Sequence, residues 1–431
     1  MEVFRVAGGR PLAGEVTISG AKNGALPILA AALGCVGTCR IRNCPALTDV
    51  ELALEILESL GAACGREGDS VIVAAQQATG GAIPPALMGA MRGSLFFLGP
   101  CLGRFGHAEL RQPGGCRLGD RPVDLHLAGF RALGAEIYHE EDRIVISGKL
   151  HGGQVVLRYP SVGATVNVLL AACWAQGTTT IVGGAREPEI VDLASFINRC
   201  GGCVRGAGTG TIQVEGCSLH GCEYTLLPDR IEAATYLTAV ACASGEGVLR
   251  QCQPRDMQEI LQFFRRAGCQ IQTGCDIIQI QAVRLRSPGL LRTGPHPGFP
   301  TDAQALAMAA LLKADGTTLV EETVFSHRFA HIPALRALGG RIQEEGSIAL
   351  IRGVERLQGS AMEATDLRGG AAMLAAALGA EGTSAIRDPG HILRGYENPA
   401  EKLRGLGAEI LLQGEEIPWT NHGKRKPTDV K

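Results

Sequence analysis

Aromatic side chains are scarce in this chain. Phe, Tyr and Trp together make up 4% of 431 residues, and only two are Trp. Few platforms exist on which nucleic-acid bases could stack. Charge of one sign is scarce too. A net charge of −2 supplies no broad positive field for a polyanion. Long apolar runs are missing: stretches such as Ala30 to Cys35 and Val168 to Trp174 break well short of a membrane span. The first residues, Met-Glu-Val-Phe-Arg, have no apolar segment of signal-peptide type. These absences predict a cytoplasmic chain with no nucleic-acid or membrane partner and a site for something small.

Cysteine is plentiful, with 15 residues. An odd number, spread through a chain without a secretion signal, points to reduced thiols and not to a disulfide framework. Cys200-Gly-Gly-Cys203 is a lone C-x-x-C with no second ligand pair at zinc-site spacing, so no metal is expected.

Hydrophobic content of 45% and charged content of 19% describe a globular chain, long enough for two or three cores. One phrase recurs: an amphipathic stretch, a glycine, a small or polar residue, then a strand. Its glycines stand at 61, 134, 201, 268, 339 and 407, separated by 73, 67, 67, 71 and 68 residues. Such a glycine closes a helix in the left-handed conformation. Cys200 fills the slot taken by Leu60, Leu133, Leu338 and Leu406, which is a core slot. Helices of small residues, such as Ala25 to Leu33, Ala164 to Ala175, Ala303 to Leu312 and Gly370 to Leu378, are apolar nearly all round and should be buried. Six units in two groups of three predict two similar α/β domains. Residues 415–431 lack apolar periodicity and read as a polar tail, with Lys424-Arg425-Lys426 a solvated terminus.

Some polar residues are not explained by the repeat. They are Lys22, Asn23, Arg92, Cys116, Arg121, Asp124, Asp302, Arg328, Asp366, Arg368 and Arg394. Several stand at the start of a small-residue helix, where free N–H groups and the dipole favour anions. Singly, each has a plainer reading. Asp302 could be a helix cap, Asp366 with Arg368 a local ion pair, and Arg92 and Arg328 surface charges. His126 and His296 read as packing or hydrogen-bonding residues. Together they form an excess of charge at unit junctions.

Gly20-Ala-Lys-Asn-Gly-Ala-Leu-Pro-Ile-Leu29, Pro113-Gly-Gly-Cys-Arg-Leu-Gly-Asp-Arg-Pro-Val-Asp-Leu-His126, Ser161-Val-Gly-Ala-Thr165, Ala185-Arg-Glu-Pro-Glu-Ile-Val-Asp192, Phe299-Pro-Thr-Asp302, Ala364-Thr-Asp-Leu-Arg368 and Arg394-Gly-Tyr-Glu397 carry a resemblance. Over residues 1 to about 414 the chain resembles the UDP-N-acetylglucosamine enolpyruvyl transferase family, whose reaction opens peptidoglycan precursor synthesis. The resemblance implies an inside-out α/β barrel of two three-unit domains, one from residues 1–19 plus 229–414 and one from 20–228. It implies phosphoenolpyruvate and UDP-N-acetylglucosamine as substrates, no cofactor, and a monomer.

By the same resemblance, Lys22, Asn23, Arg121, Arg368 and Arg394 hold phosphoenolpyruvate, with Lys22 and Arg394 in the catalytic set. Asp302 is the base toward the sugar hydroxyl, and Cys116 the proton donor on a Pro-Gly-Gly lid. Arg92, the run Arg121, Pro122, Val123, Asp124 and Leu125, the turn Ser161, Val162 and Gly163, and Val324 contact the UDP-sugar. Asp366 and Arg328 lie near the reacting groups. A cysteine at 116 implies inactivation by the epoxide fosfomycin. One departure stands out: relatives carry an acid before the last arginine, where this chain has Leu393. Two alternatives are the shikimate-pathway synthase of the same fold and a UDP-sugar-binding regulator without turnover.

Overall fold

Each repeat glycine takes the left-handed conformation at the end of an amphipathic helix, from φ +85° at Gly407 to +100° at Gly339. A side chain there would strain the backbone, which is why the series is glycine throughout. The computed structural model describes residues 2–111, 113–114 and 122–414. Cys116, Arg121 and the tail 415–431 lie outside the described residues.

The chain is α/β. Among the described residues there are five four-stranded sheets and one three-stranded sheet. Every four-stranded sheet has one parallel pair followed by two antiparallel ones. Leu290–Arg292, for example, runs parallel to Thr317–Glu321, and Ile348–Arg352 and Arg341–Glu345 follow antiparallel. Beneath the sheets lie six helices of small residues: α1 (Lys22–Ala32), α2 (Leu98–Phe105), α3 (Val162–Ala172), α4 (Arg230–Cys242), α5 (Gln304–Leu311) and α6 (Leu367–Leu378). Every residue of α4 is buried. The close packing explains the composition. A Cβ on Gly99 of α2 would come within 2.6 Å of the Asn167 carbonyl of α3, and overpacking of such a contact typically costs about 1–3 kcal/mol.

Two apolar cores result. One is built from residues between Ala25 and Leu226, the other from Phe4 to Ile18 together with Ile231 to Ile410. The first strand, Glu2–Gly8, explains the split second core. It pairs with Gly382–Arg387 on one side and Glu409–Gly414 on the other.

The chain therefore passes between the cores twice, near residue 20 and near residue 228. The two crossings lie side by side. Gly20 bridges Pro228, the Ala21 N–H donates to the Leu227 carbonyl at 2.8 Å, and the Asp229 N–H donates to the Ser19 carbonyl at 2.8 Å. α1 and α4 start just beyond these crossings. Their first residues, Lys22 and Arg230, are thereby set at the seam between the cores.

Candidate active site

Lys22 opens α1, so its side chain projects into the seam and is buried. Its Nζ lies 2.5 Å from Asp49 Oδ2. Asp49 sits in the first turn of the amphipathic helix Thr48–Ser59 and is itself buried. Its other oxygen accepts two hydrogen bonds from Arg394, from Nε at 3.1 Å and Nη2 at 2.8 Å. One carboxylate thus joins a lysine of its own core to an arginine of the other. Burial pulls the Lys22 pKa below the ordinary lysine value; Asp49 opposes this, while Arg368 and Arg394 add to it.

A second cluster forms on Asp302, in the short turn Thr301–Ala303 ahead of α5. Arg328 donates to its Oδ1 at 2.9 Å, and Arg368 and Asn23 donate to its Oδ2 at 3.1 and 3.3 Å. Burial opposes ionisation of Asp302. The Arg368 and Arg328 guanidiniums, with hydrogen bonds from Arg368 and Asn23, overcome it and hold the carboxyl well below its usual range. Asn23 and Asp302 come from different cores, so this cluster also spans the seam.

Several plainer readings from the sequence are overturned. Asp302 does not cap its helix. Arg328 is no surface charge, being buried with its guanidinium on Asp302. Asp366 and Arg368 do not form a local ion pair. The Asp366 carboxylate caps α6 by accepting from the Arg368 and Gly369 N–H groups at 3.0 Å each. The Arg368 guanidinium turns instead to Asp302 and to the Tyr396 hydroxyl, 3.1 Å away. Leu393 does not leave Arg394 unplaced. It packs against the second core, and Asp49 supplies the carboxylate.

The remaining predicted residues stand apart from these clusters. Ser161 caps α3, its Oγ accepting from the Ala164 N–H at 3.3 Å, with Val162 and Gly163 in the first turn. Asp124 begins the helix Asp124–Ala132 and pairs with Arg158. Pro122 and Val123 lead into that helix, and Leu125 is in it. Arg92 opens the turn Arg92–Phe97. The Val324 N–H donates to Glu322 at 2.8 Å. His126 keeps its plain role, its Nδ1 lying 2.9 Å from the Asn167 amide nitrogen. Two residues before Cys116, Gly114 packs so closely on the Gly89 carbonyl that a Cβ would stand 1.8 Å from it.

Asp49 was missed by sequence reasoning, as was the buried pair of Arg230 with Glu189, bonded at 2.9 and 3.2 Å across the seam. A signal for both exists in the repeat register. Asp49, Glu189 and Asp256 each stand twelve positions ahead of a repeat glycine, at 61, 201 and 268.

Asp49→Asn is expected to strip Lys22 and Arg394 of their shared counter-charge and leave a buried lysine facing a partly buried arginine. Breaking a buried pair in this way typically costs about 3–5 kcal/mol. Denaturant unfolding of the variant checks it; a loss below about 1 kcal/mol, the range of an exposed pair, would show that Asp49 does not hold the seam.

The arrangement gathers four cations from both cores, held in place by two carboxylates, a charge pattern suited to an anion. Comparisons with known proteins give the family. The family model described as EPSP synthase (3-phosphoshikimate 1-carboxyvinyltransferase) matches residues 6–403. A UDP-N-acetylglucosamine 1-carboxyvinyltransferase of Finegoldia magna is 44% identical over 417 residues, covering 95% of this chain and 98% of its own. One of Yersinia pestis is also 44% identical, over 96% of this chain and all of its own. Among solved structures, the enolpyruvyl transferase NikO from Streptomyces tendae superposes with a TM-score of 0.86 at 26% identity, over 95% of this chain and 98% of its own. An EPSP synthase from Acinetobacter baumannii, at 18% identity and a TM-score of 0.73, shares the fold.

Proposed function

The chain belongs to the enolpyruvyl transferase family, and from that membership we propose that it transfers the enolpyruvyl group of phosphoenolpyruvate to the 3-hydroxyl of UDP-N-acetylglucosamine with release of phosphate, the first committed step of peptidoglycan precursor synthesis. The observation that carries the reading is the pair of ion clusters at the seam, Lys22–Asp49–Arg394 and Arg328–Asp302–Arg368. Phosphoenolpyruvate brings a phosphate and a carboxylate, and guanidinium and ammonium groups are suited to both.

In the addition step, the sugar oxygen bonds to C2 of phosphoenolpyruvate as its proton passes to the Asp302 carboxylate. C3 gains a proton from the Cys116 thiol. In the elimination step, the C2–O bond to phosphate breaks, C3 returns a proton to the Cys116 thiolate, and phosphate leaves. An anion that draws Arg368 toward itself loosens its grip on Asp302, and the carboxylate becomes a stronger base where it is needed. Lys22, Asn23, Arg121, Arg368 and Arg394 hold phosphoenolpyruvate in this reading. Arg92, residues 121–125, residues 161–163 and Val324 meet the UDP-sugar, with Asp366 and Arg328 beside the reacting groups.

The finer architecture belongs to the same proposal: an inside-out barrel of six units, domains at 20–228 and at 1–19 plus 229–414, and a monomer working in the cytoplasm without a cofactor. No helix among the described residues is long and apolar enough to cross a membrane. The shikimate-pathway alternative has support at the family level, whereas relatives at 44% identity carry the UDP-sugar name. Against a non-catalytic regulator stands Arg394, which keeps a carboxylate partner despite Leu393.

Phosphate release from phosphoenolpyruvate tests the reading. It should require UDP-N-acetylglucosamine, and shikimate 3-phosphate should not replace it. Tight UDP-sugar binding without release would make the chain a regulator. Leu393→Asp is expected to bring no gain in release, because Asp49 already serves Arg394. Fosfomycin should inactivate the chain irreversibly: the Cys116 sulfur bonds to an epoxide carbon, the C–O bond opens, and the oxygen takes up a proton. Full activity after prolonged exposure, with the drug recovered intact, would refute that step.

A further inference from the structure

Far from the seam, four of the cysteines meet. Cys35 follows the C-terminal end of α1, and Cys39 lies in the strand Thr38–Arg42. Cys200 ends the helix Pro188–Arg199, and Cys222 immediately precedes the strand Glu223–Thr225. The sulfurs of Cys35, Cys39 and Cys200 all lie within 4.8 Å of one another, and all three residues are fully buried. Cys200 and Cys222 sulfurs are 3.3 Å apart. The Cys200, Cys222 and Cys35 thiols all act on the Cys39 thiol.

We propose that Cys35, Cys39, Cys200 and Cys222 form a structural zinc site that clasps three separate chain segments at one end of the first core. Tetrahedral zinc with Zn–S bonds of about 2.3 Å sets its sulfurs about 3.8 Å apart; the Cys35, Cys39 and Cys200 sulfurs lie within 4.8 Å of one another, and Cys222, 3.3 Å from Cys200 but outside that trio, must close in to complete the set. Thiolates are soft ligands and suit zinc over calcium or magnesium. Four protein ligands leave no open position, which marks a structural site and not a catalytic one.

The backbone around the thiols is already laced together. The Val36 N–H donates to the Leu219 carbonyl at 2.8 Å, Arg40 to Cys222 at 2.8 Å, and His220 to Cys200 at 2.9 Å. Arg199 lies near Cys222 and Arg104 near Cys35, so cationic groups stand by to offset four thiolates. Cys101 shows the contrast of a thiol used purely as core filler: burial alone acts on it and raises its pKa to about 12. The C-x-x-C pair is not the ligand set: Cys200 points into the cluster, while Cys203 lies beside Cys217. At about 1.5 Å of rise per residue, α1 and the turn after it put Cys35 roughly 20 Å from Lys22. Turnover therefore should not depend on the metal directly.

Elemental analysis of the full chain, purified from zinc-supplemented cells without chelator, is the first test. About one zinc per chain is expected, released when a mercurial reagent blocks the thiols. In Cys39→Ser/Cys200→Ser the zinc content should fall at least about tenfold, whereas Cys101→Ser should keep it. Should the double variant fail to fold, cobalt(II) loading of the unaltered chain decides. A thiolate-to-cobalt charge-transfer band together with intense tetrahedral d–d bands supports the site. A chain with no bound zinc and no such spectrum, copper(I) in place of zinc, or a disulfide found between Cys200 and Cys222 by mass spectrometry would each overturn it.

Discussion

In Asp302→Asn, phosphate release should fall by about 10²–10⁴-fold, the usual contribution of a positioned acid or base. An amide of the same shape cannot take the sugar proton. The rest of the site predicts how the loss divides. In the free chain Asp302 occupies Arg328 and Arg368 through bonds of 2.9 and 3.1 Å. The neutral amide binds them more weakly, so both guanidiniums become freer to meet an anion. The KM for phosphoenolpyruvate should therefore hold or fall while kcat collapses. Steady-state kinetics that showed KM rising with kcat unchanged would remove Asp302 from proton transfer and make it a binding residue. There is a second consequence for pH. Because its folded pKa lies below the unfolded value near 3.9, Asp302 contributes stability above that value and loses it as the pH falls through the lower folded one.

Cys116→Ser is expected to cut turnover by about 10²–10³-fold and to abolish fosfomycin inactivation completely. A thiol with a pKa near 8.5 holds its proton at neutral pH yet can give it up; a serine hydroxyl is a far poorer acid. Loss of both properties in one variant ties them to one sulfur. If turnover survived while inactivation vanished, the thiol would be a target of the drug without being the proton donor. Cys116→Asp provides the complementary measurement. It restores an acid that attacks an epoxide carbon far less readily than a thiolate does, so it should recover turnover and keep resistance.

The six helix-ending glycines were legible in the sequence because each is a local feature. A glycine that ends a helix, a leucine that fills a core slot and a helix made of alanines are each decided within a turn or two of chain. The recurring phrase therefore located Gly61 through Gly407, and small-residue composition located four of the six buried helices. Lys22, Asp302 and Arg368 were legible as well, since each stands at a helix start where apolar periodicity gives no reason for a charge.

What tertiary structure decided was partnership. Asp49 and Arg394 are 345 positions apart and meet only because the chain crosses between its two cores beside residue 20. Asp366 and Arg368 are two positions apart and yet do not pair, because a helix start claims the carboxylate and Asp302 claims the guanidinium. Cys200 looked like a core residue by its slot, and it is buried; that three more thiols surround it depended on strands aligned from distant parts of the chain. Periodicity reports whether a side chain faces inward. Which group it then faces depends on how distant segments are laid against each other, and charges and thiols take their chemistry from that neighbour.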